Sequence, residues 1–114
     1  MAIDIKLVEA HSVLILEVSG HVNSITAITL GEQLQRAAQK GKYNIVLDFG
    51  RVEYLSSAGL REIMSGLERA KNGGGDLRIA NPSRRVSELL ELTGLDGVLA
   101  IYPTRDAAAQ SFAL

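Results

Sequence analysis

Ile45-Val-Leu-Asp-Phe-Gly-Arg-Val-Glu-Tyr-Leu-Ser-Ser-Ala-Gly-Leu60 decides the fold of this chain. Ile45, Val46 and Leu47 form an uninterrupted apolar run, the pattern of a strand buried on both faces. Leu60, Ile63, Met64 and Leu67 then recur at i, i+3, i+4 and i+7, the stripe of an amphipathic helix. A buried strand thus feeds a helix through a loop that follows Asp48. Ser56 and Ser57 stand at the start of that helix. A hydroxyl there serves either as an N-cap, which stabilises by about 1 kcal/mol, or as a seat for an anion. Free backbone N–H groups and the positive end of the helix dipole favour negative charge at that point.

The same reading extends in both directions. Ile3 to Glu9 alternates apolar and polar residues, as a half-exposed strand does, and Ala10-His11-Ser12 makes a tight connection to a more buried strand, Val13–Val18, which Ser19-Gly20 ends. A helix is expected from Ser24, its N-cap, to Lys40, with Ile28, Leu30, Leu34, Ala37 and Ala38 as its stripe and Gly41 just past its end. Downstream, the helix that follows Ser57 stops near Lys71, because Asn72-Gly73-Gly74-Gly75-Asp76 continues it only at a cost. Leu77–Ala80 is a short strand. Pro82 opens a third helix, capped by Asn81, with Val86, Leu89, Leu90 and Leu92 as its stripe and Thr93-Gly94 as its close. Val98–Ile101 is a last strand, and Thr104 caps a final alanine-rich helix. A hairpin followed by strict strand–helix alternation predicts one α/β domain. It has a mostly parallel sheet of about five strands, right-handed β-α crossovers and about four helices.

Composition narrows the functional classes. With 114 residues, 46% of them hydrophobic, the chain is one core-forming domain. It has no cysteine, and its net charge is -1 with basic residues dispersed along the sequence, so neither thiol chemistry nor direct nucleic-acid binding is expected. No apolar run reaches the roughly 20 residues of a spanning helix, and the N-terminus lacks the layout of a signal peptide, so the expectation is no membrane partner and a cytoplasmic location. His11 and His21 lack metal-ligand spacing. The glycines at 73–75 precede a strand and lack the Gly-Lys-Ser/Thr of a phosphate loop. Leu55-Ser56-Ser57-Ala58-Gly59 keeps only the last glycine of a Gly-x-Ser-x-Gly elbow. No active site, cofactor or metal is expected.

The segment Ile45–Leu60 resembles the core signature of the STAS domain, specifically that of bacterial anti-sigma factor antagonists. Val18-Ser-Gly-His-Val-Asn23 resembles that family's strand ending in Gly-x-Leu-Asp. Gly73-Gly-Gly-Asp-Leu-Arg-Ile-Ala-Asn-Pro82 resembles its Gly-Gly turn, strand and proline-started helix, and Val86–Leu95 resembles its third helix. The likeness runs nearly the full length, in order. It implies that Ser57, two residues before Gly59, is a phosphoacceptor, with Ser56 as second choice. This chain departs from the pattern twice: Ser56 replaces the aspartate before the acceptor, and Asn23 replaces the aspartate after the first Gly-x-Leu.

The resemblance also implies a cycle. The unphosphorylated protein binds an anti-sigma factor that is itself a serine kinase, which frees the sigma factor. That kinase phosphorylates Ser57 and the complex weakens, and a protein phosphatase resets it. The implied partner face comprises Asn23, Ser24, Ser56, Ala58, Gly59, Arg61 and Glu62, with Asp48 as either a supporting acid or a turn former. Two other readings stay open. One is a STAS interaction or scaffold module that does not switch, its two serines serving as helix caps. The other is a small nucleotide-binding protein.

Overall fold

The computed structural model describes residues 3–10 and 12–112. Strands β1 (Ile3–Ala10) and β2 (Val13–Val22) form the opening antiparallel hairpin, with Ser12 in the left-handed region at its turn (φ 69°). His11 lies outside the described residues. There follow α1 (Thr26–Gln39), β3 (Asn44–Leu55), α2 (Ser57–Asn72), β4 (Asp76–Ala80), α3 (Arg84–Leu92), a 3₁₀ turn (Leu95–Gly97), β5 (Ile101–Tyr102) and α4 (Arg105–Gln110). The five strands lie in sequence order, and every pair after the hairpin is parallel. This is the single α/β domain that the alternation of elements predicts.

Strand alternation sorts the core onto two faces. Leu14, Leu16 and Val18 of β2, with Ile45, Leu47 and Phe49 of β3 and Leu77 and Ile79 of β4, pack against Leu30 and Leu34 of α1, Ile63 and Leu67 of α2, and Val86 and Leu90 of α3. The intervening residues Val13, Ile15, Val46 and Ala80 turn to the other face and meet Ala108 of α4. Among the described residues, one buried polar side chain crosses this pattern. Asp48 is 7% exposed and accepts from Arg105 Nε at 3.1 Å and Nη2 at 2.9 Å. Arg105 Nη2 also lies 2.7 Å from Glu17 Oε2, so one guanidinium ties α4 to β2 and β3. Its pKa is raised, first by the hydrogen bond to Asp48 and then by that to Glu17.

Several boundaries differ from the sequence reading, each for a local reason. Strand β2 runs through Ser19-Gly20 to Val22, because register shifts flank this segment and Gly20 takes a positive φ of 103° that keeps the strand going. Strand β3 does not end at Asp48 but continues to Leu55, paired with that extension of β2. Helix α1 starts at Thr26, and Ser24 does not cap it. Asn81 adopts a left-handed φ of 50°, so α3 begins at Arg84 with Ser83 as its cap. Residues 98–100 are not a strand, since the 3₁₀ turn carries the chain to a two-residue β5. Ile28 and Leu92 lie on exposed helix faces and do not belong to the core stripes. The cap at Thr104, accepting from Ala107 N, and the positive-φ Gly41 after α1 are as the sequence predicts.

Candidate partner site at the head of helix α2

The long β2–β3 pair carries the chain well beyond the end of β4, and its tip presents the serine turn. Ser56 N donates to the Val22 carbonyl at 2.8 Å, which pins the end of β3 to the end of β2. The Ser56 side chain accepts from Gly59 N at 3.2 Å and is the N-cap of α2. Ser57 is the first residue of the helix and is exposed, and its hydroxyl is not the one used as the cap. No acidic residue lies in the first turn of α2, so nothing there already neutralises the positive end of the dipole. Arg61 stands one turn further on, exposed, at i+4 from Ser57.

Gly59 is required by packing. A Cβ placed on it would fall 2.7 Å from Leu55 Cδ1 and 2.7 Å from Val22 Cγ1, so the first turn of α2 rests directly on the two strand ends. Across the turn, Asn23 organises the head of α1. Its Oδ1 accepts from Ile25 N and Thr26 N, both at 2.9 Å, while its own N–H donates to Thr26 Oγ1 at 2.8 Å. This reciprocal pair works as a capping box does. Asparagine therefore fills the capping role that an aspartate would fill, without the charge.

The structure brings most of the expected partner face together. Ser24, Ala58, Arg61 and Glu62 line one shallow hollow of about 250 Å³, with Ala27 and Ile28 beside them. Asn23 and Ser56 do not line it; each adjoins a residue that does, Ser24 and, beyond Ser57, Ala58. The carboxylate of Glu62 lies over Gly31 of α1, where an added Cβ would collide with it. Asp48 is not part of this cluster. Leu55 lies seven positions further along the strand, which at about 3.3 Å per residue is at most roughly 23 Å. Asp48 accepts from Gly50 N at 3.1 Å and from Arg105.

Two residues escape the sequence reading. Ile25 is 76% exposed and Ile28 62%, both at the head of α1. Ile28 also lines the hollow formed by Ser24, Ala58, Arg61 and Glu62. The signal was available, because the buried residues of α1 are Ala27, Leu30, Leu34 and Ala37, and Ile28 does not fit their spacing.

Among the described residues, no group of three or more His, Cys, Asp or Glu side chains is placed to hold a metal ion. No helix among them is long and apolar enough to cross a membrane. Fold and site together define a class of single-domain α/β modules whose distinctive exposed feature is a hydroxyl-bearing turn between paired strand ends and a helix head. The family model of the STAS domain matches residues 4–108, and the chain belongs to that family. It is 34% identical over 99 residues to BtrV of Bordetella bronchiseptica, a protein named an anti-sigma factor antagonist, covering 87% of this chain and 85% of that one. The crystal structure of an anti-sigma factor antagonist from Mycobacterium paratuberculosis matches with a TM-score of 0.88 and 25% identity, covering 96% of this chain and 93% of that one. The Bacillus cell fate determinant SpoIIAA in its phosphorylated form matches with a TM-score of 0.75 at 16% identity, over 95% and 98% of the two chains, a likeness of fold.

Proposed function

We propose that this protein is an anti-sigma factor antagonist switched by phosphorylation of Ser57. Unphosphorylated, it binds an anti-sigma factor through the turn at Ser56–Gly59, the Asn23–Ser24 loop, and Ile25, Ile28, Arg61 and Glu62. A serine kinase, which is the anti-sigma factor itself, transfers phosphate to the Ser57 hydroxyl and the complex dissociates. A phosphatase restores the serine. In this reading the chain is a substrate and a competitor, and not a catalyst.

The observation that carries the proposal is the division of labour between the two serines. Ser56 is committed to the cap, while Ser57 is exposed at a helix head with no acidic residue in its first turn. The energetics suffice. Phosphorylation adds about -1.5 to -2 charges at one oxygen. Such a group brings desolvation and steric crowding into an interface fitted to a neutral serine. A loss of 2 to 3 kcal/mol, roughly 30- to 150-fold in affinity, is enough to reverse partner choice. The helix head accommodates the phosphate without refolding.

The test is incubation with ATP and a cognate anti-sigma kinase, followed by mass spectrometry of the wild type, Ser57→Ala and Ser56→Ala. Phosphate that disappears only in Ser57→Ala supports the proposal. Absence of label with every cognate kinase, together with tight binding to an unrelated protein, favours a scaffold module. Hydrolysis of ATP by the protein alone contradicts both.

A further inference from the structure

We propose that the groove between the outer half of β3 and the head of α3 is a second binding site, which takes an acidic, extended segment of a partner protein along the free edge of β3. The first observation is topological. Strand β4 pairs with β3 only as far as Asp48↔Ala80, whereas β2 accompanies β3 to Leu55. From Gly50 onward, therefore, β3 has a strand neighbour on one edge only. The other edge opens into a hollow of about 790 Å³, floored by Gly50–Tyr54 and walled by Ser83–Arg85. Ser83 already occupies the inner end of that edge. Its hydroxyl donates to the Val52 carbonyl at 2.8 Å and its N–H to the Phe49 carbonyl at 3.4 Å. Ser83 thus takes the Phe49 and Val52 carbonyls, and beyond Val52 no strand among the described residues pairs with that edge. A free strand edge is a template for an added extended segment.

Charge names the segment. Arg51 reaches the groove from β3, and Arg84 and Arg85 from the first turn of α3, which holds no acidic residue. Arg51 and Arg85 carry no ion pair among the described residues. Arg84 has one, to Glu88 at 3.2 Å, between two well-exposed side chains, and such a pair is weak and easily exchanged. Glu53, the nearest acid on the floor, is engaged by His21 at 2.8 Å. Tyr54, half exposed, offers an aromatic surface at the outer end. Residues far apart in sequence, in a chain of net charge -1, thus converge on one positively charged slot beside an unpaired strand edge. Guanidinium forks match carboxylates in geometry as well as in charge. The site uses residues other than those proposed to bind the anti-sigma factor and does not depend on the state of Ser57.

The experiment titrates the ¹⁵N-labelled full chain with a short blocked peptide that alternates glutamate with threonine and valine. The expected result is saturable shifts in the amides of residues 51–54 and 83–86. Affinity is expected to fall with salt and to drop by at least about tenfold in the exposed-site double variant Arg51→Glu/Arg85→Glu, whose fold is checked by its unperturbed core amides. The idea is overturned if the peptide does not bind, or if its lysine-for-glutamate counterpart binds as well. It is also overturned if an N-methylated version, unable to pair with the strand edge, binds equally. Tighter occupancy of the same residues by inorganic phosphate or by single-stranded DNA overturns it in favour of a phosphate site.

Discussion

Ser56 and Ser57 differ by one position and by nearly everything else that matters. Ser56 is extended (φ -85°, ψ 169°), and its oxygen holds Gly59 N; Ser57 has begun the helix and faces water. Ser56→Ala is therefore expected to destabilise the protein by about 1 kcal/mol, and Ser57→Ala to leave stability within about 0.5 kcal/mol of wild type. Urea titration of both variants checks this. If Ser57→Ala were the destabilising change, the assignment of cap and acceptor would be reversed. The residue pattern alone shows the pair as cap or anion seat without saying which serine is the cap, because that depends on the residue at which the helix begins; it is the family resemblance that implies Ser57 as the acceptor. Asp48 shows the same limit. It is a turn-like acceptor for Gly50 N, as a sequence reading allows, but its main partner is Arg105, far away in the chain. Arg105→Ala should leave that buried carboxylate poorly compensated. Because the guanidinium is about one-third exposed, the expected cost is modest, about 1 to 2 kcal/mol, read as a lower urea midpoint with α4 loosened.

Elements set where the turn sits. The uninterrupted apolar run ends at Leu47, so the sequence places the end of β3 at Asp48; the strand goes on, and after Phe49 its buried positions are Val52 and Leu55. That spacing of three is the mark of an irregular strand, and register shifts between β2 and β3 supply the irregularity. No propensity pattern in β3 alone reveals it, since it requires the partner strand. The helices were more legible because their stripes repeat over several turns. Ile28 is the exception in α1: it is out of step with Ala27, Leu30, Leu34 and Ala37 and lies exposed. Two predictions belong at this scale. Gly59→Ala places a methyl against Leu55 and Val22 and should cost about 1 to 3 kcal/mol, visible as a lower melting temperature and shifted amides at the head of α2. Ile25→Asp together with Ile28→Asp removes exposed apolar surface only. It should leave stability within about 0.5 kcal/mol while weakening anti-sigma factor binding by more than about tenfold, as calorimetry will read directly.

At the scale of the whole molecule, the sheet and helices hold the serine turn at one end of the paired strands β2 and β3, where the proposed switch would act. The strand–helix alternation, the parallel sheet and the STAS resemblance could all be read from the chain, because each rests on local patterning repeated along it. The Arg51–Arg85 groove could not, since it exists only once β4 ends short of β3. The proposed switch needs no rearrangement of the sheet and helices, as a phosphate at the head of α2 meets free N–H groups there and lies one turn from Arg61. The most direct measurement is calorimetric titration of the cognate anti-sigma factor with protein carrying genetically encoded phosphoserine at position 57, beside the same protein with serine, both confirmed by amide spectra to share one fold. The prediction is a dissociation constant at least about 30-fold weaker for the phosphorylated form, with amide shifts confined to the heads of α1 and α2. Equal affinities, or a loss of binding accompanied by shifts throughout the sheet, would contradict it.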